Sequence, residues 1–318
     1  MFVIILTALG GVSLFIFGLK LISQISVIVE NERSKRIIQR VAGRKTGAFL
    51  TGIFFAGLSQ SSAIVSVLSV EFVEKGIISL GSSFSIIMGA NVGTTVTAQL
   101  VSLSGFSGEI ICAITSIIGL LTGFCKNSKL KIFGNSMFGL AVLFSGLSIL
   151  SKSITAMSGY LAVQKIFAIT NPFVLFLNGL VLTSLVQSSS AVTGVMVTFA
   201  SVGLISFESS VFLTLGSNVG SCVIVVLLSL NKSAKARRSA YFNLLFNFLG
   251  SLIFFPVFCF FGDKLSLLFL NGTTVGRAIA NFHTVFNLLC SFIFLPFVGA
   301  FEKVLSVETS AVMRKKFL

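Results

Sequence analysis

Leu58–Ser66 reads LSQSSAIVS and Leu185–Thr193 reads LVQSSSAVT. Each sets a glutamine and a run of serines inside otherwise apolar sequence: Gln60, Ser61 and Ser62 in the first, Gln187, Ser188, Ser189 and Ser190 in the second. Side-chain amides and hydroxyls donate to the oxygens of a phosphate-like anion, while their own oxygens ligate a hard cation. One site of this kind can hold both ions. A second element follows each cluster, MGANVGTTVTAQ at 88–99 and LGSNVGSCV at 215–223, with Asn91 and Asn218 each 31 residues beyond a glutamine (91 − 60, 218 − 187). Asn91, Thr94, Thr95, Asn218 and Ser221 offer oxygens for sodium at what reads as an unwound turn facing the cluster. No Arg or Lys lies in these motifs, so a bound anion must be balanced by helix ends and a co-bound cation, which makes sodium coupling the natural mechanism. The nearby acids, Glu71, Glu74 and Glu208, fall at expected membrane edges, which disfavours a proton relay of buried carboxylates.

A lone serine pair in a membrane helix commonly serves only packing or an interhelical hydrogen bond. Two copies in register ask for more, because packing does not need a duplicated cluster. His283 is the only histidine, no GxSxG elbow is present, and the serines are duplicated where a nucleophile would be unique. No enzyme is expected. His283 reads as an interhelical hydrogen-bonding group, with Asn243 as its counterpart 40 residues earlier (283 − 243).

The elements that must position these residues follow from composition. The 318 residues are 55% hydrophobic and 10% charged, with a mean hydropathy of +1.04, far more apolar than a soluble domain. Runs such as Phe2–Ile22, Leu130–Leu150, Tyr241–Phe261 and Ala278–Phe301 approach or exceed the ~20 residues a membrane-crossing helix needs, and none alternates with the two-residue period of a membrane barrel. The fold class is an all-α polytopic membrane protein. Met1–Leu9 carries no positive charge, so the first run reads as a membrane helix and not as a secretory signal. Five scattered cysteines form no CxxC pair and set neither a disulfide framework nor a metal site. The net charge of +14 sits in short loops, which points to cytoplasmic loops and away from nucleic acid; the basic stretch 31–45 and the tail can also meet anionic lipid heads.

The two clusters are 127 residues apart (187 − 60), and the same offset joins Gly52 to Gly179, Gly89 to Gly216, Asn91 to Asn218 and Gly93 to Gly220. LFIFGLKLI at 14–22 matches VLFSGLSIL at 142–150 at an offset one larger. The chain is a tandem duplication. Threading it with the basic loops inside puts the N-terminus outside, the C-terminus inside, and the protein in the cytoplasmic membrane. If 47–73 crossed the membrane, Lys126, Lys129 and Lys131 would land outside; if it enters and returns, they land inside. The expectation is therefore an inverted-topology repeat with two reentrant helical hairpins. Residues 1–126 form the first repeat, with hairpin 47–73 and broken helix 77–103. Residues 127–262 form the second, inverted one, with hairpin 172–200 and broken helix 204–230. Residues 263–318 add a membrane helix and a basic tail.

The paired QSS clusters, the GANVGTT and GSNVGS turns, and ARRSAYFNLLFN at 236–247 with GRAIANFHTVFN at 276–287 resemble the type II sodium-dependent phosphate cotransporters in their shorter bacterial form, across nearly the whole chain. The resemblance implies inward symport of inorganic phosphate with sodium by alternating access, no cofactor beyond the coupling ion, and both QSS hairpins at the site. Some bacterial relatives carry a cytoplasmic regulatory extension after the membrane domain, whereas this sequence ends at Leu318, so a separate cytoplasmic regulator joins a homo-oligomer among the partners to consider. Ala63 stands where the second copy has Ser190, and Cys222 where the first has Thr95, so unequal contributions from the copies are expected. A channel or an exporter of another anion or a lipid, using the hairpins as a gate, is the competing reading.

Overall fold

A computed structural model describes residues 1–24, 41 and 43–305. The basic stretch expected along the cytoplasmic surface at 31–45 and the RKK tail at 314–316 fall largely outside these residues. The described chain is helical throughout, with no strand. In order, the helices are α1 (Phe2–Ser23), α2 (Lys45–Ser59), α3 (Ser62–Glu74), α4 (Leu80–Gly93), α5 (Thr95–Ser102), α6 (Ser104–Gly123) and α7 (Ser128–Met157). The second half continues with α8 (Leu161–Phe167), α9 (Pro172–Val186), α10 (Ser189–Ser201), α11 (Phe207–Gly220), α12 (Cys222–Ser229), α13 (Ala234–Leu270) and α14 (Val275–Phe294), the last running on through a short 3₁₀ turn. Only α8 has no counterpart in the sequence reading.

Among the described residues, six stretches are long and apolar enough to cross a membrane: Phe2–Ser23, Leu80–Ser102, Ser128–Met157, Phe207–Ser229, Ala234–Leu270 and Val275–Leu305. Large apolar side chains stand on the outside, Phe260 at 81% exposure and Leu267 at 73%, which a bilayer tolerates and water does not. This is a multi-pass helical membrane protein. Between lipid-facing helices there is no hydrophobic drive, so association depends on close approach and interhelical hydrogen bonds.

The glycines matched at the 127-residue offset supply that approach. A methyl on Gly52 would overlap the Ile86 carbonyl and one on Gly89 the Phe49 carbonyl, so α2 and α4 lie backbone to backbone. Gly179 and Gly216 meet Leu213 and Phe176 in the same way between α9 and α11. In both pairs the contacts advance along the two helices together, so α2 runs parallel to α4 and α9 parallel to α11. By sequence Gly89, Gly93, Gly216 and Gly220 are ambiguous between close packing and a broken helix; Gly93 and Gly220 meet the Ile53 and Leu180 carbonyls, so all four pack. In contrast, α1 and α7 are antiparallel, with Gly11 against Gly146 and Leu150 and Gly18 against Gly139 and Leu143.

An aromatic seam joins α13 and α14. Phe246, Phe254 and Phe258 meet Phe294, Phe286 and Phe282 at ring-centroid distances of 5.8, 5.0 and 5.0 Å, an order that makes the two helices antiparallel. Ser251 Oγ donates to the Leu215 carbonyl (3.1 Å), and Ser291 Oγ to the Met88 carbonyl (3.4 Å). Those pairs match at offsets of 40 (291 − 251) and 127 (215 − 88), so α13 rests on α11 as α14 rests on α4.

Candidate functional site

Both glutamine–serine clusters are turns between helices. Helix α2 ends at Ser59; Gln60 takes a left-handed conformation (φ 56°, ψ 25°), Ser61 is extended, and α3 begins at Ser62. The second turn repeats this with Gln187 at φ 58°, ψ 22° and Ser188 extended. Gln60 and Gln187 are the non-glycine residues with positive φ among those described. Left-handed backbone costs an L-residue roughly 1–2 kcal/mol and suits glycine, so holding glutamine at both turns asks for a use of its side chain. Each serine after the glutamine caps the next helix: Ser61 Oγ accepts from the Ile64 N–H and Ser188 Oγ from the Ala191 N–H, both at 3.2 Å. The first N–H groups of α3 and α10, on Ser62, Ala63, Ser189 and Ser190, have no helical carbonyl to bind.

The turns touch. Ser190 Oγ donates to the Gln60 carbonyl at 2.9 Å across 130 residues of chain. Together they line a cavity of about 470 Å³ whose wall includes Gln60, Ser61, Gln187 and Ser188, with Lys20 and Ser23 of α1 also on it. Ser62, Ser189 and Ser190 are buried behind that wall. The copies are unequal, as the substitutions in sequence imply. Ala63 cannot return the bond Ser190 makes. Thr97 Oγ1 donates to Gln60 Oε1 (3.1 Å), whereas the residue matching Thr97 is Ile224 (224 − 97 = 127), and Gln187 is exposed. Gln60 is thus held by a neighbour, while the Gln187 amide is open to the cavity.

The interruptions after α4 and α11 are narrower than the unwound turns expected. Thr94 (φ −69°, ψ −15°) and Ser221 (φ −63°, ψ −19°) keep helical dihedrals. Thr94 Oγ1 donates back to the Asn91 carbonyl (3.0 Å) and Ser221 Oγ to the Asn218 carbonyl (2.7 Å), bonds that compete with the backbone ladder and bend a helix without opening it. Thr95 Oγ1, at the start of α5, donates back across the interruption to the Val92 carbonyl of α4, and Asn91 Nδ2 donates to the Ile87 carbonyl within α4. All five expected sodium ligands are buried, and none is on the cavity wall. The first bend is close to the turn all the same: Thr97, bound to Gln60, is three residues past Thr94, about 4.5 Å along the helix.

Asn218 also reaches His283, whose Nε2 is 3.3 Å from Asn218 Oδ1, making the histidine the interhelical group the sequence suggests. Thr97 and Lys20 were missed. Thr97 is one hydroxyl in the run TTVT, and Lys20 a single charge in an apolar helix; neither stands out until the fold sets it beside a turn.

The family profile described as Na+/Pi-cotransporter matches residues 14–152 and again 146–286, most of the chain. The chain belongs to this cotransporter family. Its relatives include the uncharacterized protein YqeW of Bacillus subtilis (strain 168), 32% identical over 66% of this chain and 68% of that one. The putative inorganic phosphate export protein YjbB of Escherichia coli (strain K12) is 29% identical over 79% of this chain but 46% of its own length. The sodium-dependent phosphate transport protein 2B of Rattus norvegicus is 35% identical over 29% of this chain and 14% of its own. The chain therefore spans less than half of these named phosphate proteins. No solved structure matches it. The cotransporter profile matches the chain twice, and the family is one of transporters, not enzymes.

Among the described residues of this chain, a charged contact ties the first turn's outgoing helix to the second half. At the end of α3, Glu71 pairs with Lys232, and Glu74 accepts from the Ser233 hydroxyl and, at 3.0 Å, from the Ser233 N–H. The Ser233 hydroxyl and then its N–H hold the Glu74 carboxyl below the usual carboxylate range. The bond to Glu71 raises the Lys232 ammonium above its ordinary value.

Proposed function

We propose that the protein carries inorganic phosphate together with sodium across the cytoplasmic membrane by alternating access, with the two glutamine–serine turns forming the site. The observation that carries this is the meeting of the turns: Ser190 bonds to the Gln60 carbonyl, and Gln60, Ser61, Gln187 and Ser188 share one cavity. The N-termini of α3 and α10 converge there, each presenting about +0.5 charge and free N–H groups to an oxyanion. The C-termini of α2 and α9 converge at the same place, each with about −0.5. The helix ends nearly cancel, so a dianion needs a cation beside it, and sodium fits the neutral oxygens at hand.

On this reading Gln187 and Ser188 contact phosphate most directly. Gln60, Ser61, Ser62, Ser189 and Ser190 complete its cradle, and Asn91, Thr94, Thr95, Asn218 and Ser221 hold sodium after a rearrangement at the bends. Each turn is the tip of a reentrant hairpin, and the hairpins enter from opposite faces in an inverted repeat. The parallel packing of α2 on α4 and α9 on α11 supports this, because each hairpin then starts and ends at the same level. So does the placement of their outer ends: Glu71 and Glu74 lie by Lys232 and Ser233 ahead of α13, while Ser201 lies by Gly276 at the start of α14, beyond a 37-residue helix. The N-terminus then lies outside and the C-terminus inside.

Proteoliposomes test the proposal. Uptake of phosphate, and not of sulfate, should require a sodium gradient, and Ser188→Ala should abolish it with folding retained. Phosphate flux indifferent to sodium would end the coupling. The export named for YjbB favours a second reading, net outward movement through the same site; reversing the gradients separates the two. A pore is distinguished by the absence of saturable counter-flow.

A further inference from the structure

We propose that a second crevice, at the end of the molecule opposite the site cavity, is the other mouth of the same pathway, and that Phe15 packed on Gly194 is the barrier closing it. The inference rests on the transport reading above and goes beyond it in naming the route. The crevice is about 570 Å³ and is walled by Phe144, Leu147, Ser148 and Ser151 of α7 and by Thr198 and Ser201 of α10. Four of these residues match four of the site cavity. Ile16, Leu19, Lys20 and Ser23 of α1 lie on the site cavity, and each is 128 residues before a member of the α7 set (for example 148 − 20), the offset that relates these two helices in sequence. Because α1 and α7 are antiparallel, with Gly146 against Phe15, the two sets start near the level of Ile16 and Phe144 and extend from there in opposite directions along the pair.

The crevices differ in depth. The first reaches both turns, whereas the second stops at Thr198, nine residues past Ser189 at the start of α10 (198 − 189), roughly 14 Å along that helix. Between them is Gly194, where an added methyl would run into the Phe15 ring, and Phe15 has no solvent exposure. The residue matching Gly194 in the first hairpin is Val67 (194 − 67 = 127), which lines the open cavity. One side is open to the turns and the other is blocked by a ring seated on a glycine. Glu109 and Lys152 give the blocked mouth one charge of each sign, whereas among the described residues Lys20 is the charged one lining the open mouth. Exchanging the two arrangements would expose the same site to the opposite face.

The test is thiol labelling in sealed proteoliposomes of known orientation, with a membrane-impermeant methanethiosulfonate and wild-type protein as the background. Ser148→Cys should react from one face only and Lys20→Cys from the other, and modified Ser148→Cys should lose phosphate flux. Adding Phe15→Ala should speed labelling of Gln187→Cys several-fold from the Ser148 face. Labelling of both single variants from the same face, or an unchanged rate at Gln187→Cys in the Phe15→Ala background, overturns the proposal. If flux persists and labelling is one-sided, the cargo reading survives and this one falls. Opposite-face labelling without phosphate flux leaves the two mouths standing and removes phosphate as cargo.

Discussion

Replacing Gln187 with glycine separates the two reasons a residue can have for occupying that turn. Gln187 is left-handed, so glycine relieves about 1–2 kcal/mol of backbone strain, less about 0.4–1 kcal/mol for the greater freedom glycine gives the unfolded chain. The exposed Gln187 amide has no bond to lose, so Gln187→Gly should be as stable as the wild type or more stable by up to about 1.6 kcal/mol. Gln60→Gly gains the same relief but gives up the bond from Thr97, about 1 kcal/mol, and should come out near neutral. Activity should move the other way. A hydrogen bond from a neutral amide to an anion contributes about 1.5–3 kcal/mol, so losing the Gln187 amide should raise the phosphate KM about ten- to hundredfold. The chain has no tryptophan, so unfolding in detergent is best followed with a thiol-reactive dye reporting exposure of buried Cys222 and Cys290. Sodium-driven phosphate uptake is measured on the same preparations. A Gln187→Gly protein with wild-type KM, or one that unfolds at clearly lower temperature, refutes the claim that the turn keeps glutamine for its side chain.

Thr97→Val should release the Gln60 amide and change the phosphate KM, while Thr97→Ser should retain wild-type kinetics; equal effects from both would show that the Thr97–Gln60 bond is immaterial. Ser190→Ala should cost about 1 kcal/mol in thermal unfolding by cutting the tie between the turns, and an unshifted transition would mean they are held by something else. Gly216→Ala should destabilise by about 1–3 kcal/mol because its methyl overlaps the Phe176 carbonyl across α9 and α11; wild-type stability would contradict the close-packing account. Glu74 has its folded-state pKa lowered, so its contribution is present above the unfolded value and fades as pH falls through the folded one. Glu74→Gln should therefore unfold at lower temperature than wild type at neutral pH, the difference closing in acid below the carboxylate range; a gap that persists there would assign it to shape and not charge.

The sequence by itself determined the membrane class, the helices other than α8 with their approximate ends, the identities at a fixed offset, and the residue types at both turns. Hydropathy runs and identities at a fixed offset are properties of the chain in order, and they survive without knowledge of what packs on what. The five sodium candidates were legible as polar residues, but their actual bonds, chiefly to carbonyls three or four residues back along the chain, were not. Only the tertiary structure decided that Ser190 ties the turns together, that Thr97 holds Gln60 while Ile224 leaves Gln187 free, and that Lys20 shares their cavity. The physical reason is range. Those bonds join residues 130 and 37 positions apart, and a side chain's partner at that separation is set by how helices cross, which leaves no periodic mark in the sequence.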